Sequence, residues 1–245
     1  MEIIKQKIKA IIFDMDGTIL ETEHIWWQST KALIAFHGVH VDQALEQTLA
    51  KKLSGQGMKT AVSIIKEFCE LSVDHSILFK QQMDIAHDLF KNQQQLQFIK
   101  GFEAFHEKIR LHNIPSGLAT NGMPEFVQDL HEKMNFEKFF GPNVYCIAHV
   151  DYKAKPDPAL FLHTAKQLGV EPSECIVFED SLPGFLAAQA AGMRCIAIEN
   201  QNNKHLLDLV STSISDYHQA TDALLRLLED KEPTKTFDSR TAAQP

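Results

Sequence analysis

Two aspartates two residues apart, Asp14 and Asp16, follow the apolar run Ile8-Lys9-Ala10-Ile11-Ile12-Phe13 and precede Gly17-Thr18. In an extended segment, residues two apart point the same way, so both carboxylates can face one crevice. Thr120-Asn121-Gly122 follows a second apolar run, Lys155-Pro156-Asp157-Pro158 precedes a helical pattern, and Glu179-Asp180-Ser181 follows Cys175-Ile176-Val177-Phe178. Carboxylates gathered in one place repel unless a cation lies among them. A small number of hard oxygen ligands, with room for water, suits Mg2+ beside a phosphate. Lys155 and Thr120 would hold the phosphate oxygens, with Asn121 and the free N–H groups of a helix start completing an anion site. An Asp can act as the covalent nucleophile toward a phosphoryl group, forming an aspartyl-phosphate. A second Asp can protonate the leaving group and later activate water. Each motif alone has a plainer reading: a turn after a strand, a helix cap, a solvated lysine, or first-turn acids favoured by the helix dipole. The conjunction of four motifs carries the chemical reading.

The elements that must position these residues are legible from hydrophobic spacing. Ile8–Phe13 is short, apolar and β-branched, as a strand buried on both faces requires. From about 22 to 97 the pattern is helical, with Ile25, Ser29, Ala32, Leu33 and Phe36 on one face before Gly38. Met58, Ala61, Val62, Ile65, Phe68 and Cys69 form a second stripe, and Leu78, Ile85 and Leu89 a third. After Gly101, helices and strands alternate. A helix near 102–112, a strand at 115–120, and a helix carrying Phe126, Val127, Leu130 and Met134 come first, then the short run 144–147. They are followed by a helix with Asp157 as cap and Pro158 at its first position, a strand at 175–178, a helix at 182–191 and a strand at 195–198. Ile214 marks a last short strand and Ala223–Leu228 a last helix. This alternation predicts an α/β class: a Rossmann-like, doubly wound, mostly parallel sheet, with a helical cap inserted after the first strand. The expected boundaries are 1–20 and 98–230 for the core, 21–97 for the cap, and 231–245 for a disordered tail. In such a sheet, ligands bind at the carboxyl ends of the strands, which is where all four motifs fall.

Composition excludes several classes. The chain has 245 residues, 44% hydrophobic and 23% charged, with a net charge of −8. That balance lacks the basic footprint of a general nucleic-acid binder and is repelled by anionic membrane surfaces. No apolar run approaches the roughly 18–20 residues that cross a bilayer. Met1-Glu2-Ile3-Ile4-Lys5 lacks the long apolar stretch of a secretory leader. The 4 cysteines include no CxxC pair, and Cys146, Cys175 and Cys195 each sit in an apolar run, so reduced thiols in a cytoplasmic protein are expected. A monomer acting on a small molecule is favoured over a nucleic-acid or membrane partner. His24, His37, His149 and His163 are isolated, and Gly55-Gln56-Gly57 is read as a helix–helix turn because it lacks a preceding strand.

In order and in context, Asp14-Met15-Asp16-Gly17-Thr18, Thr120-Asn121, Lys155-Pro156 and Glu179-Asp180-Ser181 resemble the four motifs of the haloacid dehalogenase-like superfamily of phosphohydrolases. The resemblance covers roughly residues 8–200, and the helical insert resembles the cap of the subgroup with β-phosphoglucomutase and many sugar-phosphate phosphatases. It implies Asp14 as nucleophile, Asp16 as acid/base, and Thr120 and Lys155 on phosphate. It further implies Mg2+ held by Asp14, the Asp16 carbonyl and Asp180, with Glu179 as a further or water-mediated ligand. The dehalogenase and phosphonate-cleaving branches lack the second motif Asp, so Asp16 argues against both. The mutase branch carries a Lys and an Arg in the cap loop for a second phosphate; aligned on Leu53 and Gly55, this chain has Ser54 and Met58 there. The expected function is therefore a Mg2+-dependent phosphatase of small phosphorylated metabolites, sugar or polyol phosphates, with a sugar-phosphate mutase or a non-catalytic binding protein as alternatives. Substrate choice is expected to lie in the cap, at Trp26, Trp27, Ser54 and Met58. Because the two tryptophans are adjacent, they face different sides of their helix, one packing and one toward the crevice.

Overall fold

The computed structural model describes residues 1–40, 42–53, 56, 58–93 and 96–229; Ser54, Gly55, Gly57 and the tail beyond 229 lie outside the described residues. Six strands form one parallel sheet: β1 (Ala10–Phe13), β2 (Ser116–Thr120), β3 (Val144–Cys146), β4 (Cys175–Glu179), β5 (Arg194–Ile198) and β6 (Thr212–Ile214). Their order is β3-β2-β1-β4-β5-β6. The chain starts in the middle, winds outward on one side and then returns to wind outward on the other, so strand order reverses at the β1–β4 boundary. There the connections leave in opposite directions and open a crevice at the carboxyl ends.

The alternation of side chains across each strand builds two apolar layers. Ile11, Phe13, Leu118, Ile176, Phe178, Ile196 and Ile198 face one layer, where Phe13 stacks on Phe178 at 5.3 Å between ring centres. Ala10, Ile12, Ala119, Val177, Cys195 and Ala197 face the other. The first layer is covered by α6 (Phe102–Leu111), α7 (Pro124–Met134), α8 (Phe136–Phe140) and α11 (Ala220–Glu229), together with an amino-terminal helix α1 (Glu2–Lys7) that hydrophobic spacing had left unassigned. The second is covered by α9 (Ala159–Leu168) and α10 (Leu182–Ala190). Helix α9 starts one residue later than its Asp-Pro signal, yet Asp157 Oδ1 still accepts from the Ala159 N–H at 2.8 Å, as a cap does. All four cysteines are free, and Cys146, Cys175 and Cys195 are buried.

Between β1 and β2 lie α2 (Glu23–Phe36), α3 (Gln43–Leu53), α4 (Met58–Phe68) and α5 (His75–Asn92). They have a core of their own in Leu33, Ile34, Leu49, Val62, Ile65, Leu71 and Leu78. Helix α3, with Leu45, Leu49 and Leu53 four residues apart, is an element the sequence reading did not single out. The chain enters and leaves this insert side by side: Leu20 and Phe98 form an antiparallel bridge, Glu21 N–H donates to Gln97 O at 3.0 Å, and Ile99 N–H donates to Ile19 O at 2.8 Å. Among the described residues, no helix is long and apolar enough to cross a membrane.

Candidate active site

The sheet brings the predicted residues together at its carboxyl edge. Asp14 is the first residue after β1, Thr120 ends β2, and Glu179 ends β4 with Asp180 next. Lys155 arrives from the loop before α9. Its Nζ lies 2.5 Å from Asp14 Oδ1 and 2.9 Å from Glu179 Oε1, and its side chain is 2% exposed. It also lies 4.5 Å above the Phe161 ring. Burial alone would push the Lys155 ammonium down; the Asp14 and Glu179 carboxylates outweigh it and hold the lysine charged.

Asn121 secures the lysine rather than reaching into the crevice with a free side chain. The Lys155 N–H donates to Asn121 Oδ1 at 2.9 Å, and Asn121 Nδ2 donates to Lys155 O at 3.5 Å. Thr120 is buried, and its Oγ1 accepts from the Gly122 N–H at 3.0 Å, which folds the loop that opens α7.

Glu179 is fully engaged. Its Oε1 takes the lysine, while Oε2 accepts from the Asp180 N–H and Ser181 N–H at 2.7 Å each and from Ser181 Oγ at 3.0 Å. These donors belong to the two residues that lead into α10, whose N-cap is Ser181, and a carboxylate is favoured at such a helix start. A Cβ on Gly184 would overlap the Glu179 carboxylate, so glycine is what lets this turn close over it. The geometry gives Glu179 the role of lysine partner and loop clasp.

Asp180 is held from behind by two amides absent from the sequence reading. Asn200 Nδ2 donates to Asp180 Oδ2 at 3.0 Å, and Asn203 Nδ2 donates to Asp180 O at 2.7 Å and to Ile198 O at 2.7 Å. Asn200 stands just beyond β5, so the strand-end rule extended to that strand would have found it. Thr18 Oγ1 approaches Asp180 Oδ1 at 3.4 Å. Gly17 has φ +72°, and a Cβ there would strike the Asp180 carboxylate, which accounts for glycine on both counts.

Burial pushes the Asp14 carboxyl up, against the pull of Lys155. Asp180 is raised by burial and by the neighbouring Glu179 and Asp14 carboxylates. Such crowding of buried carboxyls is relieved by a cation. Among the described residues, no three His, Cys, Asp or Glu side chains converge to share an ion. Two carboxylates with a backbone carbonyl and water are a hard-oxygen set that fits a small divalent cation, with Asp14, Asp180 and the Asp16 carbonyl as its holders.

Of the three described residues among the four expected to select substrate, one reaches the crevice. Trp26 Nε1 donates to Asp16 Oδ1 at 2.9 Å. Trp27 turns into the insert, where its Nε1 donates to Glu46 Oε1 at 2.8 Å beside Lys31. Met58 packs against the insert's own core. Ser54 lies outside the described residues.

A family model described as "Haloacid dehalogenase-like hydrolase" matches residues 11–198 of this chain. Fructose-1-phosphate phosphatase YqaB of Escherichia coli (strain K12) is 26% identical over 194 residues, spanning 79% of this chain and 97% of that protein. Beta-phosphoglucomutase of Bacillus subtilis (strain 168) is 25% identical over 218 residues, spanning 85% of this chain and 91% of that protein. A haloacid dehalogenase hydrolase of family IA, variant 3, from Entamoeba histolytica HM-1:IMSS superimposes with a TM-score of 0.78 at 22% identity, covering 91% of this chain and all of that one.

Proposed function

This chain belongs to the haloacid dehalogenase-like hydrolases, and from that premise we propose that it is a Mg2+-dependent phosphatase of small sugar or polyol phosphates working through an aspartyl-phosphate. The observation that carries the reading is the buried trio of Asp14, Lys155 and Glu179 at the strand ends, with Asp16 beside it. Asp14 supplies an oxygen that bonds to phosphorus as the bond to the leaving oxygen breaks. Asp16 gives its proton to that oxygen, then takes one from the water that attacks phosphorus and frees Asp14. Lys155 offsets negative charge on the phosphoryl oxygens, and Thr120 lies where it can bind them. The divalent cation, when bound, neutralises charge on the transferring group. The proposal includes the division into a core of 1–20 and 98–230 and a cap of 21–97, with the paired strands around Leu20 and Phe98 as the hinge.

The phosphatase reading is favoured over the mutase because, aligned on Leu53 and Gly55, the chain has Ser54 and Met58 where the mutase branch carries a Lys and an Arg for a second phosphate. The test is phosphate release, with Mg2+, from glucose 1-phosphate, fructose 1-phosphate, glycerol 3-phosphate and p-nitrophenyl phosphate. Asp14→Asn should lower hydrolysis by about three orders of magnitude or more. Near-normal turnover by that variant, or no release from any substrate, overturns the reading.

A further inference from the structure

Trp26 belongs to the insert, yet its indole N–H is spent on a carboxylate of the core. The ring packs on two phenylalanines, Phe90 of α5, 5.3 Å away edge-on, and Phe126 of α7, 5.6 Å away, which themselves meet edge-to-face at 4.4 Å. Phe90 is the insert's and Phe126 the core's, so this three-ring cluster exists only while α5 rests on α7. Two side-chain anchors, Lys133 and the His87–Asp129 pair, hold that docking. Lys133 of α7 donates to Phe90 O at 2.9 Å and to Gln93 O at the end of α5, and His87 Nε2 meets Asp129 Oδ2 at 2.6 Å. Packed on this pair, Trp26 holds its Nε1 at Asp16 Oδ1.

A carboxyl group with one oxygen fixed has its plane fixed as well. We propose that Trp26 is a positioning residue for Asp16: its indole, packed on Phe90 and Phe126, engages Oδ1 through its N–H and presents Oδ2 to the leaving-group oxygen whenever the insert is docked on α7. This inference rests on the reading of Asp16 as the acid/base. It ties the proton-transfer step to insert docking through one side chain.

The leaving group separates a positioning role from a structural one. p-Nitrophenolate departs with little need of a proton, whereas the alkoxide of a sugar or polyol phosphate needs one. The experiment compares kcat/KM for p-nitrophenyl phosphate and for the best alkyl phosphate of the panel above, in the wild type, Trp26→Phe, Asp16→Asn and the double variant. Trp26→Phe keeps the ring and removes the donor. It should lower the alkyl phosphate about tenfold more than p-nitrophenyl phosphate, and the double variant should show no differential beyond that of Asp16→Asn. Equal falls for both substrates, no fall, or a Trp26 differential that persists without Asp16 would overturn the inference. An Asp16→Asn variant that treats the two substrates alike would instead overturn the acid/base reading on which it stands.

Discussion

Lys155 Nζ stands 2.5 Å from Asp14 Oδ1 in a setting that excludes almost all water from both side chains. The contact joins residues 141 apart in sequence and holds the nucleophile candidate beside the cation that would meet its phosphate. Lys155→Ala leaves Asp14 and Glu179 as buried carboxylates without their partner, at a cost of about 3–5 kcal/mol. Urea unfolding should record that loss, and kcat/KM should fall by a similar factor for every phosphorylated substrate, because each presents the same group. Adding Glu179→Gln should recover part of the stability and none of the activity.

The cation requirement has a readout apart from turnover. Asp14 is pushed up by burial and by the Glu179 and Asp16 carboxylates, and Asp180 by burial and by Glu179 and Asp14, so an ion that binds only the folded site stabilises it by mass action. Mg2+ should raise the thermal midpoint of the wild type but not of Asp180→Asn. EDTA should abolish hydrolysis and Mg2+ restore it, with Ca2+ and Zn2+ serving poorly in a small oxygen site. Full activity in EDTA would refute the site as drawn.

How much of this was legible in the sequence varied with the physics of each element. Strands β1, β2, β4 and β5 are buried on both faces, so their apolar runs announce them. The four motifs were readable because catalytic residues must sit at strand ends, whatever the intervening chain does. Helix α1 was not readable because it is 6 residues long, whereas α3 carried a signal in Leu45, Leu49 and Leu53, four apart, that the sequence reading passed over. Asn200 was within reach of the strand-end rule applied to β5, whereas Asn203 was hidden for another reason: an amide that holds a backbone carbonyl from behind carries no pattern until tertiary structure places it. Asn121 and Glu179 were legible as site residues, but their use as clasps for Lys155 was not, because backbone hydrogen bonds leave no trace in residue type.

Trp27 and Met58 separate insert packing from substrate choice. Trp27 is tied to Glu46, and Met58 packs on the insert's core. Trp27→Ala and Met58→Ala, both half-buried, should each destabilise the protein by about 0.5–3 kcal/mol, the common range for a point substitution, and leave the ranking among phosphorylated substrates in place. Changes at Trp26 should alter that ranking by about 1–3 kcal/mol, the scale of one pocket contact. The measurement is a denaturation curve beside kcat/KM for three substrates per variant. A reordering by Trp27→Ala at unchanged stability would reverse the assignment.

His106 predicts where acid weakens the fold. It is buried among Phe102, Phe139 and Phe140, its Nε2 2.9 Å from Ser116 Oγ, and burial pushes its pKa from 6.5 down to about 4. The unfolded chain takes up this proton near pH 6.5, whereas the folded one refuses it until about pH 4. Protons therefore favour the unfolded state across that window, and stability falls as pH falls through it. The loss attributable to His106 is about 3 kcal/mol, from two and a half units at about 1.36 kcal/mol each. His106→Gln keeps a partner for Ser116 and removes the titration. Urea unfolding at intervals from pH 7 to 4 should show the wild type losing about 3 kcal/mol more than the variant, with the difference developing below pH 6.5. Parallel profiles for the two proteins would show that His106 is protonated in the folded core at the ordinary pH.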